Sequence, residues 1–444
     1  MLNQLIDLLE NDDRISGWQV RELAKRSTQL FLNKSMEEGR RTVESLAFEV
    51  EILCTRKGPK GSGKDWVTSN ARFNVDPGAV GRFKQDLETA LASAHLVANE
   101  SYGMTEVGGV VPKVELADPA LVGDAEGQVA LAAEQLKAAV AKAQGVRLAA
   151  AEFFADRFRT RYFNSQGVNC LFESTLFSGE FCLLAQGAGK EGGETEVFKA
   201  FKRRRLQDVG LDAMVAEAAE QSVQRLDAVL PESGRFDVVI SGEALDHFFS
   251  WVLTQASGAA KYNRLTQAEL GDALVETAPG ATPLHVYSNA LIPWAVGSYK
   301  VDGSGSLGCR RLLIENGRLK ARQANSRYAQ YLRVAASGDL GNVEVLAGKE
   351  PGAELLKPAA GKPLYHLNDF SYFEPNGITG EFSTEIRFGQ RIDASGPKPV
   401  KGGSVSGLSR DALATARFSA ETEQRERYLG PKYIRLEGLS LAGE

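Results

Sequence analysis

Gly234-Arg235-Phe236-Asp237-Val238-Val239-Ile240-Ser241-Gly242-Glu243-Ala244-Leu245-Asp246-His247 is the stretch on which the fold turns. Phe236–Ile240 is a short apolar run of strand length, and Ser241 stands where a helix N-cap belongs, so a strand hands over to a helix here. Just upstream, Pro231-Glu232-Ser233-Gly234 is a cluster of structure breakers. It marks the main domain boundary, giving an N-terminal α/β domain over 1–232 and a C-terminal β-rich domain over 233–444.

Working back from that boundary, Leu211–Val229 has helical spacing. Thr160–Ala185 reads as a hairpin around Asn164-Ser165-Gln166-Gly167, because Asn and Gly tolerate the positive φ that such turns need. The alanine-rich Ala125–Ala155 predicts a long helix pair broken at Gly145, and Pro77–Ala98 another helix. Leu30–Leu32, Thr42–Cys54 and Trp66–Val75 predict three strands of one sheet. Leu2, Leu5, Ile6, Leu8 and Leu9, then Trp18, Val20 and Leu23, predict two opening helices. Working forward, Leu291–Glu444 is dominated by strand patterns and turn glycines, with a hairpin signal at Glu315-Asn316-Gly317. The fold class is α+β, a mixed α/β domain followed by a β-rich one.

Composition narrows the function classes. The 444 residues are 43% hydrophobic, enough for two or three cores without disulfide or metal staples. Cys54, Cys170, Cys182 and Cys309 are scattered, and the N-terminus lacks a secretory pattern, so a reducing cytoplasm is expected. No apolar run approaches the roughly 20 residues that span a bilayer. A net charge of −5 argues against holding nucleic acid by phosphate neutralisation, and Lys202-Arg203-Arg204-Arg205 reads as a solvated face at a helix edge.

Some motifs lack their context. Gly58-Pro59-Lys60-Gly61-Ser62-Gly63-Lys64-Asp65 nearly matches a phosphate-binding loop, but Trp66–Val75 alternates like a strand where a helix is required, so the segment reads as a hairpin loop. Gly303-Ser304-Gly305-Ser306-Leu307-Gly308 has dinucleotide-fingerprint spacing without a following helix and reads as a flexible surface loop. The histidines are His95, His247, His285 and His366, and no serine or cysteine signature accompanies them. His95 reads as packed or solvated on a helix.

Three blocks carry a family resemblance. They are Tyr162-Phe163-Asn164-Ser165-Gln166-Gly167-Val168; Gly234–Ile240 with Leu312-Leu313-Ile314-Glu315-Asn316-Gly317-Arg318-Leu319; and Gly377-Ile378-Thr379-Gly380-Glu381-Phe382-Ser383 with Pro399-Val400-Lys401-Gly402 and Leu436–Gly443. In order and spacing the chain resembles the TldD/PmbA family of metallopeptidase-related proteins. The resemblance implies a two-domain fold with a β-rich C-terminal half, a dimer around a peptide-accepting cavity, and a family name linked to modulation of DNA gyrase. In catalytic members a helix carries His-Glu-x-x-x-His, in which two imidazoles and a distant cysteine hold zinc and the carboxylate activates water.

Carried onto this chain, Gly242 replaces the first histidine, Glu243 stands at the base position and His247 at the second ligand position, and no cysteine follows Cys309. Asp246 is a poor substitute, since neighbours on a helix point about 100° apart. Ordinary structural roles stand beside these. Glu243 in a first helical turn gains ~0.3–1 kcal/mol from the helix dipole, and His247 beside Phe248, Phe249 and Trp251 reads as a hydrogen-bonded histidine at an aromatic core. Asn368, Asp369, Phe370, Tyr372 and Phe373 form a polar-aromatic cluster suited to a substrate groove or to a core edge.

The resemblance implies a PmbA/TldE-like subunit without metal, paired with a zinc-bearing TldD-like partner or with itself, that processes peptides or unfolded protein and needs no cofactor of its own. Two further readings are a dimeric protein holding peptides by strand addition on the edges of its C-terminal sheet, and a self-sufficient peptidase with a divergent zinc site.

Overall fold

The computed structural model describes residues 2–58, 65–106, 108–187, 193–359 and 361–443. The first 224 residues supply α1 (Leu2–Glu10), β1 (Gly17–Asn33), β2 (Met36–Lys57), β3 (Trp66–Val75), α2 (Phe83–Ala94), β4 (Asn99–Glu100), α3 (Pro119–Gly123), α4 (Ala125–Lys142), β5 (Val146–Asn164), β6 (Asn169–Gln186), β7 (Glu194–Arg203) and α5 (Leu211–Gln224). Their strands form one antiparallel sheet in the order β4-β3-β2-β1-β5-β6-β7.

Two expected helices are strands. Trp18, Val20 and Leu23 lie on β1, and Val146–Ala155 opens β5 instead of continuing the helix past Gly145. Both segments are rich in Leu, Ala, Glu, Lys and Arg, whose helix preference amounts to tenths of a kcal/mol per residue. β1 pairs with β2 on one side and β5 on the other, and β5 with β1 and β6, so their main-chain groups are engaged on both flanks. That outweighs local preference.

Alternation sorts the faces. Trp18 and Val20 pack with α1 and α2, while Leu30 and Leu32, of the same parity on β1, pack with α4 and α5. All four helices therefore cover one face. On the other face, Gln19 Nε2 donates to the carbonyl of Gly303 at 2.9 Å, and a Cβ placed on Gly305 would lie 2.6 Å from the Tyr162 hydroxyl. The Gly303–Gly308 segment is thus not the flexible surface loop expected: buried Asp302 accepts from Ser304 and Ser306 and pins it onto the sheet. No helix follows it, as expected, since Arg310–Glu315 is a strand.

The expected hairpin at Asn164–Gly167 joins β5 to β6, with Gly167 at φ +84 and Asn164 Oδ1 accepting from Gln166 and Val168. Of the loop that mimics a phosphate-binding motif, residues 59–64 lie outside the described residues. Its flanks pair as adjacent antiparallel strands, Lys57 with Trp66.

The remainder supplies β8 (Gly234–Ile240), α6 (Ser250–Gln255), α7 (Gly258–Tyr262), β9 (Val286–Asn289), β10 (Arg310–Glu315), β11 (Arg318–Leu319), α8 (Ser326–Leu332), β12 (Asn342–Val345), β13 (Leu364–Phe370), β14 (Glu381–Asp393), β15 (Gly396–Val400), β16 (Ser404–Leu408), β17 (Arg417–Phe418), β18 (Thr422–Gln424), β19 (Tyr428–Pro431) and β20 (Ile434–Ala442). β13 pairs with β8 and with β14, β14 with β16, β16 with β20 and β20 with β8, so these five strands close on themselves as a small barrel. β11-β10-β9-β12-β19-β18 form a second sheet, whose β10–β11 turn is the expected Asn316-Gly317 hairpin. Val238, Ile240, Tyr365, Leu367 and Leu436 pack with Phe248, Phe249 and Trp251 in one core.

Candidate functional site

Strand β8 ends at Ile240, where the chain must leave the barrel. Ser241 does not cap a helix with its side chain; its hydroxyl is 2.8 Å from Nε2 of His366 on the neighbouring β13. Burial pulls the His366 imidazole down to about 4, so it is neutral at pH 7. Gly242 then takes φ +72, and a Cβ there would approach the Asn368 carbonyl oxygen to 3.0 Å. The turn that follows, Gly242–Asp246, is a 3-10 helix of five residues in place of the expected α-helix. Its three-residue period sets Glu243 and Asp246 on one side while Ala244 and Leu245 are buried. So short a turn also removes the helix-dipole account of Glu243.

This turn forms one wall of a cleft of about 310 Å³ lined by Glu243, His247, Phe370 and Tyr372 together with Arg203 and Arg425. Four of the residues singled out from sequence thus meet, with Asp246 and the inner-wall Phe373 beside them. Asn368 does not join them; its Oδ1 is buried without a partner behind the turn. Asp369 is ion-paired with Arg225, and Phe373 is core, in ring contact with Phe248, Phe370 and Phe382. His247 differs from expectation: its ring is exposed, 6.2 Å from that of Tyr372, and outside the aromatic core formed by Phe248 and Phe249. His95 is exposed at the end of α2, as a solvated residue.

The opposite wall is β7. It is the edge strand of the seven-stranded sheet, and Phe198, Ala200 and Lys202 carry the cleft into an adjoining one of about 810 Å³ that shares Glu243 and Phe370. Along a strand, alternate residues turn their N–H and C=O to the same side. Arg225 takes the outward carbonyl of Glu196 (2.7 Å) and Arg203 that of Lys202 (2.9 Å). By the same alternation, Phe198 and Ala200 turn their main-chain groups to the groove.

The charges here were not legible locally. Arg425 Nε donates to Asp246 at 3.0 Å and its other end faces Glu423 at 3.6 Å. Burial raises the pKa of Glu243, Asp246 and Glu423 in turn, against the pull of Arg425. Glu243 is an exposed residue, yet it loses hydration to the surrounding walls. Burial lowers Arg203, with Arg425 adding to it. The basic run is therefore not a solvated face: Lys202 pairs with Glu426, Arg205 with Asp208, and buried Arg204 donates to the carbonyls of Leu116, Thr175, Ala295, Val296 and Ser298. No pattern near residue 204 announces five carbonyls contributed by distant segments.

Among the described residues, no group of three or more His, Cys, Asp or Glu side chains is placed to hold a metal ion. Cys309 lies away from the cleft, its thiol 3.5 Å from the carbonyl of Ser337. No helix among the described residues is long and apolar enough to cross a membrane.

Residues 233–443 match the PmbA/TldA metallopeptidase C-terminal domain. The C-terminal half of this chain belongs to the PmbA/TldD family. A search of curated proteins found no match. Among solved structures, TldE from Thermococcus kodakarensis is 15% identical, with a TM-score of 0.81 over 99% of this chain and 100% of that one. A protein described as a candidate modulator of a DNA gyrase from Thermotoga maritima is 17% identical, TM-score 0.81, over 99% of both chains. A similarly described protein from Bacteroides thetaiotaomicron is 15% identical, TM-score 0.77, over 100% and 97%. At these identities the likeness establishes the α+β fold of the TldD/PmbA type along the whole chain.

Proposed function

We propose that this chain is a PmbA/TldE-like subunit that holds no zinc of its own and contributes one wall of a peptide-processing groove, completed by a zinc-bearing TldD-like partner. The observation that carries the reading is Gly242. Where the family's first histidine would stand, the backbone has φ +72 and the Asn368 carbonyl lies 3.0 Å from any added Cβ, so the position is shaped for glycine. Glu243 and His247 remain, and one imidazole with a carboxylate falls short of the three protein ligands zinc sites generally use.

The groove supports peptide as the ligand. The outward main chain at Phe198 and Ala200 on β7 can add an extended segment as a further strand. The C-terminal barrel is closed and its companion sheet ends in strands of two and three residues, so β7, not that sheet, is the template.

Co-expression with a zinc-bearing homologue from the same cell tests this: the pair hydrolyses unfolded peptides and the chain alone does not. A chelator-washed chain that cuts peptides alone and loses the activity in His247→Ala, or that retains about one zinc per chain, overturns it.

A further inference from the structure

A second cleft, of about 320 Å³, lies on the sheet face opposite the helices, where β1, β2 and β3 meet the start of α8. Its floor is the buried carboxylate of Glu51. Oε2 accepts from Gln19 Nε2 and is ion-paired with Arg72 Nε, each at 2.9 Å, and Oε1 accepts from Asn70 Nδ2 at 3.1 Å. The one acidic group in the cleft is therefore already engaged.

The donors are not. Arg327 lies over the rings of Tyr102, Tyr331 and Tyr328 at 5.1, 5.4 and 5.7 Å, which fixes its plane. Its Nε donates to the Tyr331 hydroxyl at 3.1 Å and one terminal nitrogen to Asn99 at 2.7 Å. Its other terminal nitrogen, and both terminal nitrogens of Arg72, have no hydrogen-bond partner among the described residues. The Tyr102 hydroxyl is buried with no partner, and burial together with the charge of Glu51 keeps it protonated. Two guanidiniums against one satisfied carboxylate leave a surplus positive charge, Arg327 among the tyrosine rings and Arg72 at the exposed rim with 72% of its side chain open to solvent.

We propose that this cleft binds a small organic oxyanion, a carboxylate or phosphate on a planar body, with the anion between Arg72, Arg327 and the Tyr102 hydroxyl and the body against Tyr328. Guanidinium and phenol donors pair strongly with such oxygens, and the cleft volume lies at the low end of small-molecule sites. The site is separate from the β7 groove and stands or falls apart from the peptide-processing reading.

Calorimetric titration of the full chain with benzoate and with phenyl phosphate tests it and tells a carboxylate from a phosphate; inorganic phosphate serves as the probe without a body. Saturable binding of one aryl probe is expected, weakened at least tenfold in Arg72→Gln and in Tyr102→Phe. Arg26→Gln, which removes an equal charge from an exposed pair with Glu44 on the same sheet, leaves it unchanged. Tyr102→Phe melts no lower than the parent, since it removes a hydroxyl without a partner, so its loss of binding is not a loss of fold. Absence of saturable binding, affinity that survives either substitution, or equal weakening by Arg26→Gln overturns the proposal.

Discussion

The seven-stranded sheet and the C-terminal barrel solve the same problem in opposite ways. The barrel closes β8, β13, β14, β16 and β20 into a ring and leaves no long edge. The sheet stays open, ends on β7, and uses that edge as a wall of the groove. Closure suits the element that must hold the Ser241–His247 turn in place; openness suits the element that, on the proposed function, offers main chain to a peptide. The two are joined by side chains more than by strands, and the strongest ways to break the comparison act on that seam.

Arg204 is the largest. Arg204→Met leaves five carbonyls from both halves without their donor and is expected to cost about 3–5 kcal/mol in denaturant unfolding. A loss below about 1 kcal/mol would show the halves to be stitched elsewhere.

A second test uses two groups with opposite signs, one from each region of contact. Asp302, pushed up to about 6 by burial, takes up a proton on folding between pH 4 and 6, so acidification through that window stabilises the fold. His366, pulled down to about 4 by burial, is neutral when folded, so acidification from pH 6.5 to 4 destabilises it. At about 1.4 kcal/mol per pKa unit each contributes about 3 kcal/mol, and they nearly cancel. Asp302→Asn keeps only the histidine's share, and its stability relative to the parent drops by about 3 kcal/mol from pH 6.5 to pH 4. Parallel curves would sink the assignment.

Gly242→His, the substitution that would restore the family's first ligand, is expected to destabilise by about 1–3 kcal/mol and to confer no tight zinc binding in metal analysis. The smallest effect on stability belongs to Phe198→Pro. It removes an N–H that faces the groove and is not used in pairing with β6, so unfolding changes by about 1 kcal/mol or less while binding of an extended peptide is lost. Retained peptide binding would mean that β7 is not the template.

The sequence made legible what depends on neighbours in the chain. The Asn164 and Asn316 turns, β8 and the Glu243–His247 segment follow from residue chemistry over a few positions. It misled at Trp18–Leu23 and at Val146–Ala155, where helix-forming residues are recruited into strands by partners more than a hundred positions apart. The same distance hides most of the site. Glu243, His247, Phe370 and Tyr372 could be named singly, but β7 as their facing wall, and Arg425 between Asp246 and Glu423, exist only once the chain has folded. Arg204 shows the limit: its charge suggested solvent, and carbonyl geometry put it inside.

That buried guanidinium also limits how the molecule can move. Since it grips Leu116 and Thr175 on one side and Ala295, Val296 and Ser298 on the other, the groove beside it cannot widen by swinging one half away without releasing both sets. Whatever enters must be as narrow as the gap already is. Under the proposed function, a threadlike, unfolded segment would meet that gauge and a folded protein would not.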